Sequence, residues 1–263
     1  MAELSYRTVW ISDLHLGFQD AKAEFLLAFL ENTRCDTLYI VGVFIDFLRI
    51  KRWRWRPSHQ RVLDHLLERA RRERVIYIPG NHDAVARRHL NTSFAGIEVL
   101  GEAIHHTGDG RRFLVTHGDE FEVPPPYRLP CWVGDGAYAL LRIANRWTNQ
   151  LRGLVGLPYW SLATALKAGL PSAARHIERF EIQAAHCALE RGLAGIICGH
   201  IHKPALREID GVLYCNDGDW MESCTALVEH GDGRLDILYC AETTTVLASR
   251  QPTVAPHPLS HWT

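Results

Sequence analysis

The stretch Glu73–Asp83, "ERVIYIPGNHD", carries four apolar or aromatic residues, Val75 to Ile78, through Pro79 and Gly80 into an amide, an imidazole and a carboxylate. A short run of β-branched and aromatic residues bounded by turn formers reads as a buried strand. The Pro-Gly pair turns the chain at its carboxyl end. Asn81, His82 and Asp83, which follow, can all bind a metal or take part in proton transfer.

Other strand-like runs end in the same way. "RTVWIS" runs into Asp13 and His15, "TLYIV" into Gly42 with Asp46 beyond, "RFLVT" into His117, and "GIICG" into His200 and His202. Between the first runs, "AKAEFLLAFLEN" and "HQRVLDHLLERARRE" have the apolar spacing of helices. Strands alternating with helices predict an α/β domain whose sheet strands lie between helical layers. In such sheets the carboxyl ends of the strands converge on one crevice, where ligands bind. Further on, "GVLYC", "CTALVE" and "RLDILYC" resume strand character.

From Pro124 to about Gly192 the pattern turns to helices alone, broken by "PPP" and two "GLP" triplets. That stretch is too long for a plain loop, so it is expected to be an insertion. The expected division is a core of residues 1–122 and 193–242, a helical cap at 123–192 and a loose polar tail at 243–263. The cap carries Trp147, Trp160 and Lys167; "KRWRWRP" at 51–57 alternates cations, Arg52 among them, with indoles; Lys203 follows the last histidine. An apolar cleft between cap and core would suit acyl chains, and the cations would suit phosphate. Helix packing and a solvated surface account for the same residues.

In 263 residues, 29 basic side chains nearly balance 30 acidic ones. No basic excess marks a nucleic-acid surface, and a nucleic-acid partner is not expected. The seven cysteines show no CxxC pair, as expected of reduced cytoplasmic thiols. No stretch approaches the roughly 18 apolar residues of a spanning helix, and the start lacks the pattern of a signal peptide. Imidazole, carboxylate and amide donors without thiolate suit manganese, iron or zinc.

The motifs "DLHLG", "GVFID", "GNHD", "THGDEFE" and "CGHIHKP" resemble the DxH, GDxxD, GNHD, HG and GHxH pattern of the calcineurin-like metallophosphoesterase superfamily, over residues 8 to about 229. The resemblance implies a four-layer α/β/β/α sandwich with an inserted helical cap and two divalent metals, Mn2+ foremost, with Fe or Zn as alternatives. It implies Asp13, His15 and His202 on one metal and Asn81, His117 and His200 on the other. His82 would donate a proton, with Asp83 fixing its ring, and Asp46 would support the ligands from behind. Within the superfamily, "SDLHLG", "HGDEFE", the long insert and "NDGDWMES" look most like the bacterial UDP-2,3-diacylglucosamine pyrophosphatases of lipid A synthesis and their paralogues. Some of those carry arginine where His82 stands. The likeness implies a nucleotide-lipid substrate and a cytoplasmic protein in peripheral contact with the inner face of the inner membrane. Oligomeric state has no signature in the pattern.

The superfamily's bridging aspartate falls at position 43, which is valine here. At about 4 Å and an effective dielectric near 20, two unit charges interact by about 4 kcal/mol, so two dications repel by roughly four times that. A shared carboxylate offsets part of this repulsion. Without it the second position suffers more, since Asn81, His117 and His200 are all neutral. Three readings follow: an impaired hydrolase of the UDP-2,3-diacylglucosamine type, a phosphodiesterase for another nucleotide or lipid, or a metal-poor lipid-binding or sensing pseudoenzyme.

Overall fold

Period-two alternation along the central strands sorts the core into layers. In β1 (Leu4–Ser12), β2 (Thr33–Val41) and β3 (Arg74–Ile78), Val9, Ile11, Leu38, Ile40, Val75 and Tyr77 lie on one face of the sheet. Trp10, Tyr39, Val41, Ile76 and Ile78 lie on the other. Successive side chains of a strand point to opposite faces, so both faces of this sheet must be covered.

The computed structural model describes residues 4–48, 54–122, 143–145, 147–152, 154–161 and 171–252. The outer face of the first sheet is covered by α1 (Ala23–Glu31), through Leu26, Leu27 and Leu30, and by α2 (Pro57–Arg69). Pro57 opens α2, where a missing N–H costs nothing. His59, Val62, Leu66 and Arg69 make its buried stripe at helical spacing.

The remaining strands are β4 (Thr92–Phe94), β5 (Ile97–Val99), β6 (Ala103–His106), β7 (Arg112–Val115), β8 (Gly195–Cys198), β9 (Ala205–Ile209), β10 (Val212–Asn216), β11 (Thr225–Glu229), β12 (Leu235–Tyr239) and β13 (Thr245–Arg250). One sheet has the order β13-β12-β11-β1-β2-β3-β5-β4, the other β6-β7-β8-β10-β9. Phe113, Val115, Ile197, Leu213 and Cys215 of the second sheet meet the inner face of the first. Its outer face, with Leu114, Ile196 and Tyr214, is covered by α3 (Pro171–Glu190) through Phe180, Ala184, Ala185 and Ala188. The result is the expected α/β/β/α sandwich. The pairs β1-β2, β2-β3 and β7-β8 are parallel, so their carboxyl ends share one rim.

Two expected boundaries move. The chain beyond 243 is not loose throughout: Thr245–Arg250 forms β13, paired antiparallel with β12. Val246 and Leu247 are more than half exposed, so this edge strand is held by its backbone ladder and leaves no alternating pattern in the sequence. Arg250 also pairs with Glu208, and Ser249 donates to Asp236. The expected cap at 123–192 ends earlier, because α3 from Phe180 onward is the outer layer of the second sheet. A helix covering a sheet and a helix of a cap have the same amphipathic period, which is why the sequence did not separate them. Residues 143–145 and 147–152 are helical as expected, and Tyr159 donates its hydroxyl hydrogen to the Met221 carbonyl. Residues 123–142 and 162–170, within the expected cap, lie outside the described residues.

Candidate metal centre

Five strand ends meet at the common rim. Asp13 and His15 follow β1, Val43 and Asp46 follow β2, Asn81 and His82 follow β3, His117 follows β7, and His200 and His202 follow β8. The turns after β1 and β2 run side by side: His15 N–H donates to the Val43 carbonyl at 3.1 Å and Leu16 N–H to the Phe44 carbonyl at 3.0 Å. Across the sheets, His200 N–H donates to Asp13 Oδ2 at 2.8 Å. Asp13, His15, His200 and His202 all take positive φ, 49°, 47°, 68° and 55°. Such backbone costs about 1–3 kcal/mol per residue and persists only where surrounding contacts over-determine it.

Two glycines make room for His117. A Cβ on Gly42, at φ 107°, would stand 2.1 Å from His117 Nδ1, and one on Gly80 would stand 2.9 Å from Nε2. The imidazole lies in the slot between the turns after β2 and β3, with Nε2 3.3 Å from Asn81 Oδ1. Its ring meets that of His200 edge-on, with centroids 5.1 Å apart. Burial pushes the His117 imidazole down to about 4, which keeps it neutral and available as a ligand at neutral pH.

The expected first set comes together. His15 Nε2 lies 3.8 Å and His202 Nε2 3.7 Å from Asp13 Oδ1. His15 Nε2 is buried and has no hydrogen-bond partner, while its Nδ1 is 2.8 Å from Asp46 Oδ2. Burial pushes the Asp46 carboxyl up, but hydrogen bonds from His15 and His82 prevail and hold it well below the usual carboxylate range. Burial lowers His15 as well, so a neutral ring gives its Nδ1–H to an ionised Asp46 and keeps the Nε2 lone pair free. Asp13 is also held low: burial acts upward, and His117, His202 and His15 outweigh it. One carboxylate oxygen and two imidazole nitrogens, all within 4.8 Å of one another, fit a borderline divalent cation.

The second set, Asn81, His117 and His200, is also assembled, but the expected bridging position is closed by hydrocarbon. Val43 is 1% exposed. Valine branches at Cβ and carries no oxygen, so the position is filled by methyl groups and lacks both the ligand atoms and the charge of aspartate.

One expected role is corrected. Asp83 does not hold the His82 ring: its carboxylate accepts from Phe44 N–H at 2.7 Å, from Gly80 N–H at 2.7 Å and from the Tyr77 hydroxyl. The residue on His82 is Asp46, with Oδ1 3.1 Å from Nδ1. A single buried carboxylate therefore orients His15 and His82 together, which adjacency in the sequence could not reveal. Burial raises the Asp83 carboxyl to about 7.

Of the expected substrate contacts, Lys203 is exposed beside His202, while Arg52 and Lys167 lie outside the described residues. Trp147 and Trp160 are exposed on the 147–161 segment, and among the described residues no hydrogen bond or ring contact joins them to the centre. Two residues escaped the sequence reading. Asp219, within "NDGDWMES", caps the N–H groups of Met221 and Glu222 and lies 3.8 Å from His202 Nδ1. Glu122, within "HGDEFE", lies 3.3 Å from His200 Nε2. The quoted motifs were the available signal for both.

The sequence model of a family described as calcineurin-like phosphoesterase matches residues 6–204. No curated protein matches the chain. Similar solved structures include the phosphoesterase Yfce of E. coli, at 15% identity over 94% of this chain and 99% of that one, with a TM-score of 0.49. Vacuolar protein sorting 29 of Cryptosporidium parvum is another, at 12% identity over 93% and 97%, with a TM-score of 0.45.

Proposed function

Because the chain belongs to the calcineurin-like phosphoesterase family, we propose that it is a divalent-metal-dependent phosphoester or pyrophosphate hydrolase of the UDP-2,3-diacylglucosamine type, impaired by Val43. The observation that carries this reading is the convergence of Asp13, His15 and His202 beside Asn81, His117 and His200 at one rim. Manganese is the favoured cofactor, since nitrogen and oxygen donors without thiolate suit it. When bound, two such ions polarise a phosphoryl group and supply a nucleophilic water at neutral pH.

The chain's own residues supply positioning and proton transfer. Asp46 fixes the rings of His15 and His82 through two oxygens. With Nδ1 committed to Asp46, His82 would deliver the proton to the leaving oxygen from Nε2. Asp83 braces the turn beneath it through Phe44, Gly80 and Tyr77.

The lipid part of the proposal is supported by the motif likeness and by a run of exposed apolar side chains at helical spacing, Ile143, Trp147, Leu151 and Leu154. No described helix is long and apolar enough to cross a membrane. Peripheral contact would suffice to reach an acylated substrate. Val43 itself favours the third reading, a metal-poor lipid-binding or sensing protein.

The test is release of UMP from UDP-2,3-diacylglucosamine in excess Mn2+, with UDP-glucose and an aryl phosphodiester alongside, for the parent and Val43→Asp. Weak parental cleavage, raised in Val43→Asp together with a tighter second ion, is expected. Equal cleavage of all three substrates would favour a phosphodiesterase with another substrate. No cleavage by a Val43→Asp protein holding two ions would favour the sensing reading.

A further inference from the structure

His15 belongs to two three-donor groups at once. Among the described residues, two clusters of histidine and carboxylate bring their ligand atoms within 4.8 Å of one another. One is Asp13, His15 and His202, the first metal position. The other is His15, Asp46 and His82. The motif resemblance gives Asp46 and His82 other work and no metal.

The second cluster nevertheless has the geometry of a ligand set. Asp46 Oδ2 lies 2.8 Å from His15 Nδ1, and Oδ1 lies 3.1 Å from His82 Nδ1, so two imidazole nitrogens converge on one carboxylate. The rings meet edge-on, with centroids 5.2 Å apart. Backbone bonds hold the arrangement: Asp46 N–H donates to the Leu16 carbonyl at 3.0 Å, and Leu48 N–H to the His82 carbonyl at 3.2 Å. Asp46 and His15 are buried, while the His82 side chain is 17% exposed and opens the cluster to solvent. With Val43 at the bridging position, Asn81, His117 and His200 offer an ion no negative charge. This cluster brings a carboxylate.

We propose that His15, Asp46 and His82 form an alternative metal position whose occupation excludes the first. Two imidazoles and a carboxylate, with a water in the fourth place, suit zinc. Such nitrogen and oxygen donors hold Zn2+ more tightly than Mn2+. The exclusion comes from His15, because a neutral imidazole has one lone pair. With its proton on Nδ1, given to Asp46, the Nε2 lone pair serves an ion at Asp13 and His202. With the proton on Nε2, where Asp13 Oδ1 lies 3.8 Å away, Nδ1 serves an ion at Asp46 and His82. His82 then also carries its proton on Nε2. Zinc bound there takes His15 from the first position and replaces the hydrogen bonds by which Asp46 orients both rings, so it opposes hydrolysis. The inference rests on reading Asp13, His15 and His202 as the first position of the hydrolase.

The experiment is calorimetric titration of the metal-free full chain with Zn2+, for the parent, His202→Ala, His82→Ala and the double variant, with thermal melts as a fold control. Sharing of His15 predicts that each single variant keeps the parental number of tight ions. The double variant should hold one fewer, its affinity for that ion down by about tenfold or more, at least the loss for a group that merely supports a ligand. Should the double variant melt early, carbethoxylation of His82 by diethyl pyrocarbonate in the His202→Ala protein decides, read by mass spectrometry: zinc is expected to protect the ring. A double variant that binds as well as His202→Ala, an unprotected His82, or single variants each one ion short of the parent would overturn the proposal. Loss of the ion in His202→Ala alone would overturn it too and leave the first position standing. Loss in His82→Ala alone would remove the first position, and with it the exclusion; a parent that binds no Zn2+ overturns both.

Discussion

Two residues that adjoin in the sequence, His82 and Asp83, part company in the structure. His82→Ala in the Val43→Asp background should lower turnover by about 10² to 10⁴-fold with metal content unchanged, since general acid help is worth that much. Elemental analysis beside single-turnover kinetics checks it, and a loss of metal would instead make the ring structural. Asp83 should show itself in stability. Its folded-state value is raised by burial to about 7, above that of an unfolded aspartate, so the folded chain holds the proton more tightly. Stability from this group is full below about pH 4 and is lost as pH rises through 7. Denaturant unfolding should find parental stability falling by about 2–3 kcal/mol relative to Asp83→Asn between pH 5 and pH 8. Parallel curves would show that the carboxyl titrates normally. At this scale the candidate ligands were legible, because each stands one to four residues beyond the end of a strand. The orienting carboxylate was not, since Asp46 reaches His82 across 36 positions of chain and only the pairing of β2 with β3 brings them together.

Among the elements, α3 does more than cover a sheet. Phe180 is 1% exposed and touches both Phe121 and His200. Phe180→Ala should cost about 3–5 kcal/mol in denaturant unfolding, as for other buried aromatic truncations, and should weaken the second metal position in the same protein. A stability loss with unchanged metal binding would separate the helix from the centre. The central strands could be read from sequence because burial on both faces gives dense apolar runs, as in "VIYIP". Edge strand β13 could not, since a ladder of backbone hydrogen bonds asks little of its side chains. The division between cap and outer layer was hidden for a related reason: apolar spacing reports that a helix is buried on one side and is silent on what it is buried against.

For the whole molecule, the open question is how an acylated substrate would reach the rim. The exposed run of Ile143, Trp147, Leu151 and Leu154 is part of the apolar surface available among the described residues of the insertion, with Val155, Leu157 and Trp160 beyond it. Trp147 is 64% exposed, so Trp147→Ala should leave the fold intact. It should lower kcat/KM on the diacylated UDP-sugar by about tenfold, through lost apolar contact, and leave an aryl phosphodiester unaffected. Equal loss on both substrates would remove the lipid role from this face. The α/β class and the rim where the candidate ligands gather followed from alternation and strand ends, and the four-layer sandwich from the family resemblance; the substrate did not follow, because the helices of the insertion carry no motif chemistry. The closed position at Val43 has a further meaning in coding terms. Two of the four valine codons differ from an aspartate codon by the central base alone, and the pinned rings and left-handed turns around that position are maintained by folding contacts. From either of those codons, loss and recovery of a carboxylate at position 43 lie one point mutation apart, with no rebuilding of the surrounding gene required.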